Sequence, residues 1–472
     1  MFYGKYSKLF VVLFIKTNKI KVYVLLSEEF IYLNILQGGK NVKKLFIIIL
    51  VFAVMLAVPG DVVEADEPEV ELTIAGGAVG AELEATEKAA EMYMEENPEV
   101  EVEVLDTPDE SDERRSLYLQ YFEAESPEVD VYQIDVMWPG DMQEHLLDLY
   151  EYGAEDYVDD HIQGIVDNNT TADGELVAMP WFVDAGLLYY REDLLEEYDL
   201  EVPETWAELE EAARIIQEGE REHNPDFHGY VWQGDAYEGL TCNVLEWFAS
   251  NGGGNFVSHD EQVTVLNDNN QHMLEKAAGW VGTISPEGIT GYAEEDARAV
   301  FQNGNAAFMR NWPYAFPLLE DSEAFDPEDF DVTEIPAGPE GESAATLGGW
   351  QIAASEYSEH PEYAADLAIF LASEEVQKER ALIAGDPPTI ESLYEDEEIL
   401  EAYPYWEEFF EVFVNAVPRP STVTAPNYEE VSSVIYNESH DVLTGAQDAL
   451  TALEYMEIEI MDITGFPPGD PQ

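Results

Sequence analysis

Four stretches mix aromatic rings with hydrogen-bonding side chains where simple core patterning would keep them apart. They are Trp181, Phe182, Val183 and Asp184; residues 230–239, with Tyr230, Trp232, Gln233, Asp235, Tyr237 and Glu238; Arg310, Asn311, Trp312 and Tyr314; and Gly348, Gly349 and Trp350. A flat ring suits the C–H face of a sugar, while carboxylate, guanidinium and amide groups suit its hydroxyls. Both are needed together because a buried polar group must find a partner. Any one tryptophan alone reads as core; four such stretches in one chain read as a binding surface of mixed polarity. Metal chemistry has no comparable signal. His145 and His161 are too far apart in sequence to form a local ligand pair, no Cys/His cluster exists, and no metal or cofactor is expected.

These residues need elements to hold them, and the chain alternates strand and helix patterns. Residues 70–75 alternate apolar and polar before Gly76 and Gly77; Leu83, Thr86, Ala90 and Tyr93 then mark a helical face that Asn97 and Pro98 end. Val100, Val102 and Val104 resume period two, Leu117, Tyr121 and Phe122 return to a helix, and residues 129–136 to a strand. This is the rhythm of a mostly parallel sheet covered on both faces, with ligands expected at the loops after strand ends. Further on, Thr205 and Glu208 form a capping box ahead of Trp206, Leu209, Ala213 and Ile216. Tyr363, Leu367, Phe370 and Leu371 predict another helix, and Trp406, Phe409, Phe410 and Phe413 a buried face. Acidic runs such as 395–398 read as solvated surface and not as calcium loops.

Charge divides the chain sharply. Of 20 basic residues, 8 precede residue 45; from Asp66 onward 97 acidic residues face 12 basic ones, a net charge of −85. Lys40, Lys43 and Lys44, the apolar run 45–58 and the small residues ending at Ala65 have the order of a cleavable secretory signal peptide. The run is too short for a comfortable membrane span of roughly 20 residues. Secretion to a periplasm or the cell exterior is therefore expected. Residues 1–41 fit neither part; Gly38 and Gly39 match a translated ribosome site ahead of a start at Val42, with an extra membrane segment as the alternative. Domain 1–65 is accordingly expected to be a spurious extension plus a cleavable leader. The acidic remainder suits a salty medium, where screening shortens to about 3 Å at 1 M. A polyanion without a basic patch is not expected to bind nucleic acid. About 407 residues suggest two domains, and Cys242, the sole cysteine, reads as a buried apolar group.

Over nearly all of the chain after the leader, the sequence resembles the extracellular solute-binding proteins of ABC sugar importers, and in particular trehalose/maltose-binding proteins. The resemblance rests on residues 74–78, Glu113 to Arg115 in sequence, 132–138, 184–191, 230–242, 304–308, 310–314, 344–350 and 415–420. It implies an α/β, two-lobed periplasmic-binding-protein fold with discontinuous lobes and a ligand cleft. The implied first lobe is 66–180 with 316–372, and the second is 185–312 with 376–472. It further implies a monomer that delivers a sugar, of disaccharide size, to a membrane permease. Carried over position by position, Glu82, Arg114, Asp135 and Asp184 match residues that bind sugar hydroxyls, Glu82 through a one-residue insertion. Trp312 and Trp350 match residues beside the sugar, and Tyr292 is a looser candidate. Trp138, Phe182, Trp232, Tyr237 and Glu238 are possible cleft walls, with packing beneath the cleft an equal reading for Trp232.

Two departures stand out. Phe182 replaces an aromatic hydroxyl, and Thr389 and Ile390 follow the Gly385-to-Pro388 turn where close relatives carry an arginine. Losing a charge-assisted hydrogen bond is worth about 1.5–3 kcal/mol, so another glycoside is a possible cargo. A glycosidase would also set two carboxylates across a sugar, and Asp135, Asp184 and Glu238 could be recruited, but no nucleophile motif accompanies them. An aromatic cage for a betaine-like osmolyte is the other alternative; Arg114 argues against a cation.

Overall fold

The computed structural model of the chain describes residues 10–16, 19–26, 29–35 and 68–470, except Ala78, Ala172 and Glu340. They fall into two units, Met1–Glu67 and Pro68–Gln472. The first contains β1 (Phe10–Lys16), β2 (Lys19–Leu26) and β3 (Glu29–Ile35), an antiparallel meander with Ile15 opposite Ile20 and Leu25 opposite Phe30. The apolar run 45–58 and the expected cleavage point lie outside the described residues.

The second unit carries β4 (Val70–Gly76), β5 (Val100–Asp106), β6 (Val131–Asp135), β7 (Met179–Ala185), β8 (Leu187–Arg191), β9 (His228–Val231), β10 (Ala306–Asn311), β11 (Phe330–Thr333) and β12 (Leu347–Ala354). They form two sheets, ordered β5-β4-β6-β12-β7 and β11-β8-β10-β9. Each sheet is parallel except for one reversed strand, β12 in the first and β8 in the second. Each reversed strand is the one that enters its lobe from the other. Gly186 alone separates β7 from β8, and a Cβ there would stand 1.9 Å from Glu246 Oε1, so this crossing tolerates no side chain.

Period two sorts the first lobe's side chains to two faces. Ile74 and Val131 join Tyr93, Trp181 and Leu367 in one core, while their neighbours Ala75 and Tyr132 join Tyr118, Phe122 and Ile134 in another. Helices Glu82–Glu96 and Pro361–Leu371 cover the first face and helix Ser111–Glu123 the second. The second lobe has one large core containing Tyr189, Trp206, Trp232, Trp247, Trp280 and Phe308. The Thr205 capping box forms as its sequence predicts, with Glu208 N–H donating to Thr205 Oγ1 at 3.3 Å and Thr205 N–H to Glu208 Oε2 at 3.0 Å.

The expected lobe boundaries need correction at two places. Residues 316–372 do not return to the first lobe as a block: β11 pairs with β8 in the second sheet, and Leu319, Phe325 and Phe330 belong to the second core. The return is made by β12. Conversely, helix Glu374–Ala384, expected with the second lobe, begins on the first. Val376 lies in the first-lobe core, and Arg380 Nη1 donates to Thr86 Oγ1 at 3.2 Å. The chain crosses again at 386–389, where Val183 N–H donates to Pro387 O at 3.0 Å. Amphipathic spacing announces an apolar face but not which core will cover it.

Candidate functional site

The first half of the site is built at the ends of β4 and β6. The turn after β4 brings Gly77 so close to Glu82 and Arg114 that a Cβ would stand 1.8 Å from Glu82 Oε2 and 2.9 Å from Arg114 Nη1. Gly77 N–H donates to Gln133 Oε1 at 2.5 Å, and Gln133 Nε2 donates to Glu82 Oε2 at 3.3 Å. Burial pushes the Glu82 carboxyl up to about 7, outweighing the pull of Arg114. Arg114 is wholly buried on helix Ser111–Glu123. Its Nε donates to Pro108 O at 3.0 Å, and its guanidinium carbon lies 4.2 Å from the centre of a Trp350 ring. Nη1 has no hydrogen-bond partner among the described residues.

Sheet register places the next three groups. Trp350 of β12 stands opposite Asp135 of β6 on one side and Phe182 of β7 on the other; Gly348 stands opposite Asp184. Asp135 Oδ1 accepts from Met137 N–H at 3.0 Å and from Arg419 Nη2 at 3.2 Å. Asp184 Oδ1 is buried and lacks a partner among the described residues. Burial, reinforced by the charges of Asp386 and Glu82, holds the Asp184 carboxyl well above the usual carboxylate range. At Gly348 a Cβ would come 3.0 Å from Trp312 Cζ3 and 3.1 Å from Asp184 Cβ, so glycine lets ring and carboxylate approach the same backbone.

The second lobe supplies Trp312 at the end of β10. Beneath it Arg310, fully buried, bonds Glu246 through Nε at 2.9 Å and Nη2 at 2.5 Å, and its guanidinium carbon lies 3.8 Å from the Trp312 ring centre. Glu294 accepts from Trp312 Nε1 at 3.3 Å and from the Tyr237 hydroxyl at 2.6 Å. Glu238, at the start of helix Glu238–Ser250, accepts from Arg419 Nη1 at 2.6 Å.

Glu82, Asp135, Asp184, Trp312 and Trp350 thus line one cavity of about 70 Å³ between the lobes, with Tyr237 and Glu238 on its wall. Arg114 lies behind Trp350. Trp138 is also behind it, edge-on at 5.5 Å, and Phe182 is buried under the Arg380 guanidinium. Trp232 is a core residue: it is fully buried, its Nε1 donates to Ser285 Oγ at 3.1 Å, and its ring meets Trp247 edge-on. Tyr292 is not among the lining residues. Its carbonyl accepts from Gly234 and Asp235 N–H, and its ring packs on the second core.

Sequence reasoning gave no role to Asp109, Glu294 or Arg419, all three of which line the cavity. The only available signal was for Arg419, an isolated cation between two prolines in a very acidic chain. Thr389, where an arginine was missed, turns away from the cavity. It is fully buried, with its hydroxyl 2.7 Å from His161 Nδ1 and its N–H donating to Gln377 Oε1. A different cation stands nearby: Arg380 Nε is 2.8 Å from Asp386 Oδ2, at ion-pair distance though off the N–H direction.

Two α/β lobes joined by crossing segments, with rings and carboxylates from both facing one cleft, define the periplasmic-binding class of fold. Residues 77–378 match the bacterial extracellular solute-binding proteins, and the chain belongs to that family. A probable ABC transporter-binding protein of Deinococcus radiodurans is 44% identical over 397 residues, covering 84% of this chain and 94% of its relative. The maltose-bound T. maritima MalE3 structure is 40% identical with a TM-score of 0.79, covering 84% of this chain and all of that one. The GacH receptor of Streptomyces glaucescens, at 22% identity and a TM-score of 0.74 over 84% and 99% of the two chains, shares the fold.

Proposed function

We propose that the protein captures a neutral disaccharide of the maltose or trehalose kind and presents it to the membrane permease of an ABC importer. The observation that carries this reading is the meeting, in one interlobe cavity, of two tryptophan faces with three carboxyl groups, Glu82, Asp135 and Asp184. Rings cover the C–H faces of a pyranose and the carboxyl groups pair with its hydroxyls. The maltose complex formed by the 40% identical MalE3 supports the size and class of the cargo. The description of the Deinococcus relative as a probable ABC transporter-binding protein supports the route. Binding works by population shift: each lobe offers half of the contacts, and a ligand touching both favours the closed form. The protein acts as a monomer, outside the cytoplasm, after removal of its leader near Ala65, and its acidic surface suits high salt.

Calorimetry at high salt with maltose, trehalose and a betaine, each followed by product analysis, tests the reading. Saturable binding of a disaccharide without turnover is the expected result. Binding of betaine alone would reassign the cargo, and release of monosaccharide would reassign the protein as a hydrolase. Failure of the folded protein to bind any sugar would reject the proposal.

A further inference from the structure

Arg419 occupies no regular element. It follows Val417, whose backbone pairs with Ala345 and Leu347 at the crossing into β12, and it is flanked by Pro418 and Pro420. Each proline fixes φ and removes an N–H, so the backbone that carries Arg419 has little latitude. The guanidinium, 2% exposed, grips one carboxylate from each lobe: Nη1 is 2.6 Å from Glu238 Oε1 and Nη2 is 3.2 Å from Asp135 Oδ1. Glu238 is fully engaged, because the Tyr428 hydroxyl also donates to Oε1 and the Ser432 hydroxyl to Oε2, each at 2.5 Å. Asp135 is not. Its Oδ1 takes both Met137 N–H and Arg419, and no described group donates to Oδ2. Arg419 Nε is itself buried without a hydrogen-bond partner among the described residues. One acceptor and one donor are thus left over on two residues that both line the cavity.

A second arginine reaches across the lobes in the opposite sense. Arg115 of the first lobe stands 3.6 Å from Glu429 on helix Tyr428–Leu443, but that carboxylate is 36% exposed. Salt screens such a pair, whereas the Arg419 contacts are shielded from it.

We infer that Arg419 is a positioning residue that joins the two half-sites: it orients Asp135 so that Oδ2 faces the cargo, and it ties the first lobe to Glu238 of the second. For its cargo the inference rests on the disaccharide reading above; the lobe contact does not depend on it. The planar fork meets the two carboxylates through separate nitrogens held at a fixed spacing, a geometry that the single ammonium nitrogen of lysine does not reproduce.

Cys242, the only cysteine of the chain, lines the same cavity and is 2% exposed; the Arg419 charge favours its thiolate, so loss of that charge alone would slow reaction with a maleimide, and faster labelling reports opening of the cleft. In ligand-free protein Arg419→Gln should speed this labelling, and Arg419→Lys should speed it less, with circular dichroism and melting curves showing that both are folded. If the glutamine variant does not fold, the lysine variant carries the test. Calorimetry with maltose or trehalose should show a loss of affinity of roughly 5- to 150-fold, the range of ordinary site-to-site coupling. Labelling rates unchanged from wild type in the folded variants overturn the inference, whatever the affinity. Faster labelling in a protein whose wild type binds no sugar would retain the lobe coupling and reject the disaccharide reading alone.

Discussion

Glu82→Gln should remove a specific part of the protein's pH dependence. The Glu82 side chain is 4% exposed, and its nearest hydrogen-bond donor is a neutral amide, Gln133 Nε2, at 3.3 Å. Burial therefore raises its pKa from 4.5 to about 7. Below 4.5 the carboxyl is protonated in the folded and the unfolded chain, and it contributes no slope. Between 4.5 and about 7 the unfolded chain ionises while the folded chain keeps its proton, so stability falls as pH rises. The full penalty, about 3 kcal/mol at roughly 1.4 kcal/mol per pH unit, is present above that window. Of this, about 2 kcal/mol falls between about pH 5.5 and about pH 8, a range above the isoelectric point. Urea unfolding of wild type and Glu82→Gln at those two pH values, at one fixed high salt concentration, measures it. Wild type should lose about 2 kcal/mol more than the variant on going to the higher pH. Equal losses would show that Glu82 ionises in the folded state as it does in water, and would refute the buried, weakly paired carboxyl described above.

Two tryptophans of similar sequence appearance should behave differently. Trp350→Ala should weaken disaccharide binding by roughly 2 kcal/mol, as loss of a buried aromatic anchor does, whereas Trp232→Ala should lower stability by about 3–5 kcal/mol without a selective effect on affinity; calorimetry and urea unfolding separate the two. Arg310→Met should cost about 3–5 kcal/mol because it strands Glu246 as a buried unpaired carboxylate; adding Glu246→Leu should recover much of this in the same unfolding assay. Thr205→Ala removes an N-cap and should cost about 1 kcal/mol, read as a lower melting temperature with binding unchanged.

Interactions that act within a few residues were legible. The Thr205–Glu208 cap needs only a spacing of three, and it forms. The alternation at 70–75 and 100–104 becomes β4 and β5, paired in parallel with Ile74 opposite Val104. Helix Pro361–Leu371 follows from its own apolar stripe. Assigning such elements to lobes was harder. Residues 330–333 lie in the 316–372 block that the resemblance assigns to the first lobe, and it is the partner Leu188 to Arg191 that places them in the second sheet. Trp232 and Trp350 likewise share an aromatic-polar neighbourhood in sequence, yet one is wholly enclosed by Trp247 and Ser285 while the other opens onto the cavity.

Composition and local pattern by themselves determined that this is an α/β chain with a basic, apolar start, an intensely acidic remainder and a small set of tryptophans mixed with carboxylates, because charge, periodicity and capping are properties of neighbours. Tertiary structure alone decided which carboxyls became buried acids, which ring became core, and that Arg419 would bridge Asp135, 284 residues away, to Glu238. Those outcomes depend on desolvation and on pairing across the lobes, and both are set by the way the chain crosses between sheets.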